Sequence, residues 1–291
     1  MLVHVLTLLV ASTACSPAEM HDLAKHTAQT SHAKLGVSAA ILGGAERFSY
    51  AGLHHFPMQS VYKLPIAIAA LHRVEQGQLK LEQSVSVTED DLVPAQTHSP
   101  LRDKHPKGGD FPLEDLLRRA IVDSDGSASD VLLRVVGGPK QVRRYLKDVQ
   151  VKGIRVKHTE AQLSQDAHVQ YEDSATPDGL VRLLTLLHEG KLLNPDNTAR
   201  LLHWMQETQT GKDRIRAKLP EGTVVADKTG SSGTKDGLTT ATNDVAILTM
   251  PGGRTLAIAV FLSDAKASTA ARNAAIADIA KNVWDCWAEP R

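Results

Sequence analysis

The sequence predicts an α/β fold of the α+β kind: a five-stranded antiparallel sheet flanked by terminal helices, with an all-α lobe packed beside it. Two strand-like apolar runs near the start, 35–42 and 47–50, are separated by the turn signal Gly43-Gly44. Three more follow residue 211, at 223–227, 244–250 and 256–262, and Pro251-Gly-Gly-Arg254 joins the last two as a hairpin loop. The long stretch between the two groups carries helical spacing, so two strands from the front and three from the back close one sheet around an insertion.

Taken in order, residues 19–32 read as a helix that precedes the first strand. The run from Ser60-Val-Tyr-Lys63 through Leu71 reads as the next helix, and residues three apart on it share a face. Leu113, Leu116, Leu117, Ala120 and Ile121 have helix spacing, and a further apolar helix over 125–136 stops at Gly137-Gly-Pro139. Thr176-Pro177 and Asn194-Pro195 each pair an N-cap with a first-position proline, opening two more helices. Ile276, Ile279, Ala280, Val283 and Trp287 mark one face of a closing helix. The expected division is 1–18 as an export signal or its remnant, 19–56 with 211–291 as the α/β domain, and 57–210 as the helical domain.

At 291 residues the chain can bury a sizeable core. Lys plus Arg equals Asp plus Glu at 33 each, so no overall field favours nucleic acid or an anionic membrane. Two cysteines, Cys15 and Cys286, exclude a disulfide framework and leave either one bridge or two free thiols. The first fifteen residues are short, apolar and end in small residues, as an export signal does, although only His4 stands where a basic region belongs. They are too short for an ordinary membrane span. A secreted or periplasmic monomer is expected, with a lipoprotein anchored at Cys15 as the lesser alternative.

Chemistry enters at Ser60 and Lys63. A serine hydroxyl needs a neighbour to take its proton, and a lysine one turn along can do so when its surroundings lower its pKa. Downstream stand Ser124-Asp125-Gly126, Thr159-Glu160-Ala161-Gln162 and Lys228-Thr229-Gly230. Four such motifs in this order resemble the class A serine β-lactamases, and Thr-Glu-Ala-Gln and Lys-Thr-Gly-Ser-Ser-Gly are similar to the extended-spectrum branch.

The resemblance implies the β-lactamase/D,D-peptidase fold and hydrolysis of penicillins and cephalosporins without a cofactor. Ser60 is then the nucleophile, Lys63 or Glu160 through a water its base, Ser124 the proton relay and Glu160 the deacylation base. Lys228, Thr229 and Gly230 are expected to meet the substrate carboxylate, and Ser231 to offer its N–H to the oxyanion. The rivals are a D,D-peptidase and a β-lactam sensor that acylates without fast turnover.

Several positions depart from the family pattern. Gly126 stands where an asparagine is usual, removing a side chain that would touch substrate. Ser164 replaces an asparagine that often holds the hydrolytic water. His158 replaces an arginine, and its partner is expected to be Asp173, which would make the loop's fastening depend on pH. With no arginine in 240–243, Arg214 is expected to assist at the carboxylate and Arg216 to be structural. The thirteen histidines show no metal-binding spacing, so no metal is expected. His98 is read as surface loop or pocket rim, and Met58, Tyr62 and Trp204 as packing.

Overall fold

A computed structural model of the chain describes residues 15–165 and 168–288. The main sheet runs β2-β1-β11-β10-β8, from β1 (Lys34–Ile41), β2 (Arg47–Tyr50), β8 (Val225–Ser231), β10 (Leu238–Thr249) and β11 (Thr255–Ala265). All its pairings are antiparallel, with Val37 opposite Val260 and Val245 opposite Lys228. To these five expected strands the structure adds β9 (Thr234–Lys235), a two-residue ribbon on β10.

Side-chain alternation assigns the two faces. Leu35, Val37, Ala39, Ile41, Leu256, Ile258, Val260 and Leu262 pack in one core with α1 (Pro17–Thr30) and α10 (Thr269–Trp287). The intervening Ala40, Ala226, Val245, Ile247, Ala257, Ala259 and Phe261 join the core of the helical segment on the other side. That segment contains α2 (Lys63–Glu75), α3 (Pro100–Lys104), α4 (Leu113–Val122), α5 (Gly126–Val135), α6 (Pro139–Asp148), α7 (Glu160–Gln165), α8 (Pro177–His188) and α9 (Pro195–Gln206).

The segment 57–210 is not wholly helical. Ser84-Val-Ser-Val87 alternates polar and apolar residues as a half-buried strand does. It forms β4 (Ser84–Val87) against β5 (Gly109–Pro112). A second small sheet orders β3 (Phe56–Pro57), β7 (Ser174–Ala175) and β6 (Ile154–Arg155) as β3-β7-β6. This sheet matters for function, because β3 leads into Ser60 and β6 into Glu160.

The predicted boundary at residue 18 shifts. Ser16 caps α1 with its side chain and Cys15 is bonded to Cys286, so 15–18 belong to the folded body. The remainder of the predicted signal lies outside the described residues. Because the Cys15 sulfur is committed to the bridge, it cannot carry a lipid, and the lipoprotein alternative is set aside. Among the described residues no helix is long and apolar enough to cross a membrane.

Candidate active site

Pro65 fixes how Ser60 is presented. Proline fits only the first turn of an α-helix, and α2 accordingly begins at Lys63. Residues Gln59–Tyr62 form a tighter 3-10 turn before it, where α-helix was expected at Ser60. In such a turn residues three apart lie almost above one another, which sharpens the predicted alignment. The half-buried Ser60 hydroxyl accepts a 3.0 Å hydrogen bond from the buried Lys63 Nζ. Gln59, just before the serine, has φ +49°, a left-handed conformation that non-glycine residues rarely hold.

Ser124 shares that rare geometry, with φ +56°. The kink lets one residue serve two lysines: its carbonyl accepts from Lys63 Nζ at 2.6 Å and its hydroxyl from Lys228 Nζ at 2.8 Å. Asp125, not Ser124, caps α5, its side chain accepting the Ala128 N–H. Lys228 shares the sheet face of Ala226 by alternation, so it points at the helical segment and is fully buried. Burial, aided by the nearby Lys63 charge, pulls its pKa down to about 7.

Glu160 opens α7 and its carboxylate Oε2 stands 3.6 Å from Lys63 Nζ. Asp130 on α5 holds that helix end: Oδ1 accepts the Glu160 N–H at 2.6 Å and Oδ2 the Ala161 N–H at 3.0 Å. Burial pushes the Asp130 carboxyl up to about 6. Ser60, Ser124, Glu160, Ser164, Arg214, Thr229 and Ser231 line one cleft of about 630 Å³, together with His98 at its wall.

Two glycines are explained by close approach. A Cβ on Gly230 would lie 2.3 Å from the Met58 carbonyl oxygen, so the Lys-Thr-Gly strand can press against the turn carrying Ser60 only without one. What the structure gives this glycine is a packing role. At Gly126 a Cβ would lie 3.0 Å from Glu160 Cγ, 3.1 Å from the His98 carbonyl oxygen and 3.2 Å from Thr97 Cγ2. The space an asparagine side chain would enter is occupied by that segment, whose His98 carbonyl accepts the Gly126 N–H.

Arg214 is buried, and its guanidinium donates to Ser231 Oγ at 2.6 Å and to the Asn243 carbonyl at 2.8 Å. Arg216 pairs with the buried Asp227 below the strand. Thr229 Oγ1 and Thr210 Oγ1 share a hydrogen bond of 2.6 Å. Ser164 Oγ donates to the Ala161 carbonyl at 2.8 Å, which leaves only its lone pairs for the cleft. His98 Nε2 lies 2.9 Å from the Asp123 carbonyl. Met58, Tyr62 and Trp204 are buried.

The expected His158–Asp173 side-chain pair does not form. His158 Nε2 meets the exposed Glu172 at 3.2 Å instead. Asp173 is fully buried and uses Oδ1 to accept the N–H groups of Lys157 at 3.0 Å and His158 at 3.1 Å, so it caps backbone and leaves the imidazole outside. Burial raises the Asp173 carboxyl to about 7.

Sequence reading missed Asp130 and Asn243. Asn243 Nδ2 donates to the carbonyls of Pro57 at 2.8 Å and Met58 at 3.0 Å, tying β10 to the approach of Ser60. Both act on residues far away in the chain, and no local pattern announces such a contact. Among the described residues no cluster of His, Cys, Asp and Glu suits a metal ion.

Comparison with known proteins agrees with this geometry. The family described as the β-lactamase enzyme family matches residues 18–287. Beta-lactamase VEB-1 of Pseudomonas aeruginosa is 37% identical over 233 residues, covering 79% of this chain and 78% of that one. Extended-spectrum beta-lactamase PER-1 of the same species is 39% identical over 231 residues, 79% of this chain and 74% of that one. The crystal structure of a β-lactamase from Chitinophaga pinensis DSM 2588 superposes with a TM-score of 0.88 at 40% identity, covering 91% and 98% of the two chains. That of the TLA-1 extended-spectrum β-lactamase gives 0.91 at 36%, covering 94% and 100%. With the motifs, the fold and these likenesses in agreement, the chain belongs to the β-lactamase enzyme family, as a class A serine β-lactamase.

Proposed function

We propose that the enzyme hydrolyses penicillins and cephalosporins through an acyl-enzyme on Ser60. The observation that carries this reading is the double lysine bridge. Lys63 meets the Ser60 hydroxyl, the Ser124 carbonyl and the Glu160 carboxylate, while Lys228 meets the Ser124 hydroxyl, so each of the two hydroxyls that must exchange a proton has an amine within hydrogen-bond reach. Ser60 Oγ attacks the lactam carbonyl and the C–N bond breaks. Its proton passes to Lys63, or to Glu160 through a water, and Ser124 delivers a proton to the departing nitrogen. The N–H of Ser231 stabilises the oxyanion, in a strand whose end Arg214 holds. Glu160 then activates the water that splits the ester.

Lys228, Thr229 and Gly230 receive the substrate carboxylate, with Arg214 keeping Ser231 in place beside them. Gly126 offers the substrate no side chain, and the 97–98 segment fills the room beside it, so positioning of the substrate amide falls to that segment. We read the chain as two lobes, 15–56 with 211–288 and 57–210, meeting at this cleft. We read the enzyme as a monomer, and the Cys15–Cys286 bridge fits an oxidising compartment, secreted or periplasmic.

Turnover of a chromogenic cephalosporin tests the reading. Multiple turnovers are expected from the wild type, and a single stoichiometric burst with a trapped ester from Glu160→Gln. A burst without turnover from the wild type would instead indicate a sensor or a slow D,D-peptidase.

A further inference from the structure

A second cavity, of about 750 Å³, opens between α6 and β6, away from the cleft. Its floor is apolar: Leu146, Val151 and Ile154 are buried and line it. Its rim carries Arg143, Lys147, Lys152 and Arg155, with His55 beside them and no carboxylate in the lining.

The charge here is local. Over the whole chain the charges cancel, yet residues 140–157 hold Lys140, Arg143, Arg144, Lys147, Lys152, Arg155 and Lys157 against the lone carboxylate Asp148. Lys157 has Glu172 as its partner. Among the described residues Arg143, Lys147, Lys152 and Arg155 enter no ion pair. Like charges gathered without counter-charge repel one another, and a bound anion relieves that repulsion. His55 registers the same field: burial and the Arg155 charge push its imidazole pKa down. Arg143 gives one N–H to the Val156 carbonyl, which fixes its guanidinium while leaving other donors for a ligand.

We propose that this cavity binds a small organic polyanion, its phosphate or carboxylate groups on the Arg143, Lys147, Lys152 and Arg155 rim and its apolar body on the Leu146, Val151 and Ile154 floor. The volume falls in the range of small-molecule pockets, and the mixture of apolar floor and converging charged groups is the usual composition of one.

Isothermal titration of the full chain with 1-naphthyl phosphate in low-salt buffer at pH 7 tests this. Saturable one-to-one binding is expected, weakened about tenfold or more by Lys147→Glu with Arg155→Glu, as loss of charge-assisted hydrogen bonds requires. The exposed Lys25→Glu on α1, which does not line the cavity, is expected to leave the affinity unchanged. Circular dichroism checks the fold of the double variant, and Lys152→Gln supplies a milder change should it unfold. Absence of saturable binding overturns the proposal, as does equal loss in Lys25→Glu. So does competitive inhibition of cephalosporin turnover by the probe, which would put it in the cleft. Binding of a DNA duplex or anionic vesicles without binding of naphthyl phosphate also overturns it, in favour of a macromolecular face.

Discussion

Replacing Asp130 with asparagine separates the placement of Glu160, the proposed general base, from the stability of the fold. In the wild type two carboxylate oxygens each accept one N–H from the first turn of α7, at 2.6 and 3.0 Å. An asparagine keeps one acceptor and turns its NH₂ group toward the second N–H. Loss of one charge-assisted hydrogen bond is worth about 1.5–3 kcal/mol, and each 1.4 kcal/mol is tenfold, so the productive loop position becomes roughly ten to a hundred times rarer. Global stability moves the other way. A carboxyl raised from 3.8 to about 6 pays about 3 kcal/mol for being charged at pH 7, and the neutral amide escapes that cost.

The variant is therefore expected to melt within a few degrees of the wild type while its acyl-enzyme accumulates. Stopped-flow with a chromogenic cephalosporin, paired with mass spectrometry of the quenched enzyme, reads both. The pH profile provides a second check. Because the folded pKa lies above the unfolded one, the native state holds the extra proton between about 4 and 6. The associated stability is present below that window and lost as pH rises through it. Deacylation runs in the opposite sense, falling as pH drops through about 6 when one acceptor is protonated, and the asparagine variant should lose that inflection. A steady-state kcat within twofold of the wild type, with no trapped ester, would refute the argument.

Lys228 should impose a second pH dependence: with its pKa near 7, KM for anionic penicillins is expected to rise as pH climbs above 7, with kcat less affected, in a steady-state profile from pH 5 to 9. Unfolded lysine binds its proton up to about 10.5, so stability from this group grows across the same range. Gly126→Ala pushes a methyl group to within 3.0 Å of Glu160 Cγ, and a fall of roughly threefold to tenfold in kcat is expected from the displaced carboxylate, with melting temperature nearly unchanged. Cys286→Ser opens a loop of sequence separation 271 and is expected to lower stability by about 2–5 kcal/mol, measured by denaturant titration with and without reductant, with no effect of reductant on the variant.

Much of this molecule is readable from its residues. The strands announced themselves where β1, β11 and the second half of β10 are buried on both faces and read as largely apolar runs, whereas the polar Thr-Thr-Ala-Thr-Asn half of β10 went unread. Ser60 and Lys63 were predictable as a pair because their spacing is local, and a 3-10 turn preserves what an α-turn would have given. Failures came where the partner lies far off. His158 chose Glu172 over Asp173 because Asp173 was already taken, buried and saturated by backbone N–H groups that sequence does not display. Asp130 read as one more polar residue on a helix until α7 was folded against it. Gly126 looked like a missing side chain, whereas the structure shows the 97–98 segment closed into that space.

The registry of β1 with β11, Lys34 opposite Ser263 and Ile41 opposite Leu256, also governs when the protein can be born. A sheet whose central pair joins strands so far apart in the sequence stays unfinished until the second of them has been made, and such distant pairing forms slowly. Oxidation of Cys15 with Cys286 then latches the terminal helices over a sheet that has only just been assembled.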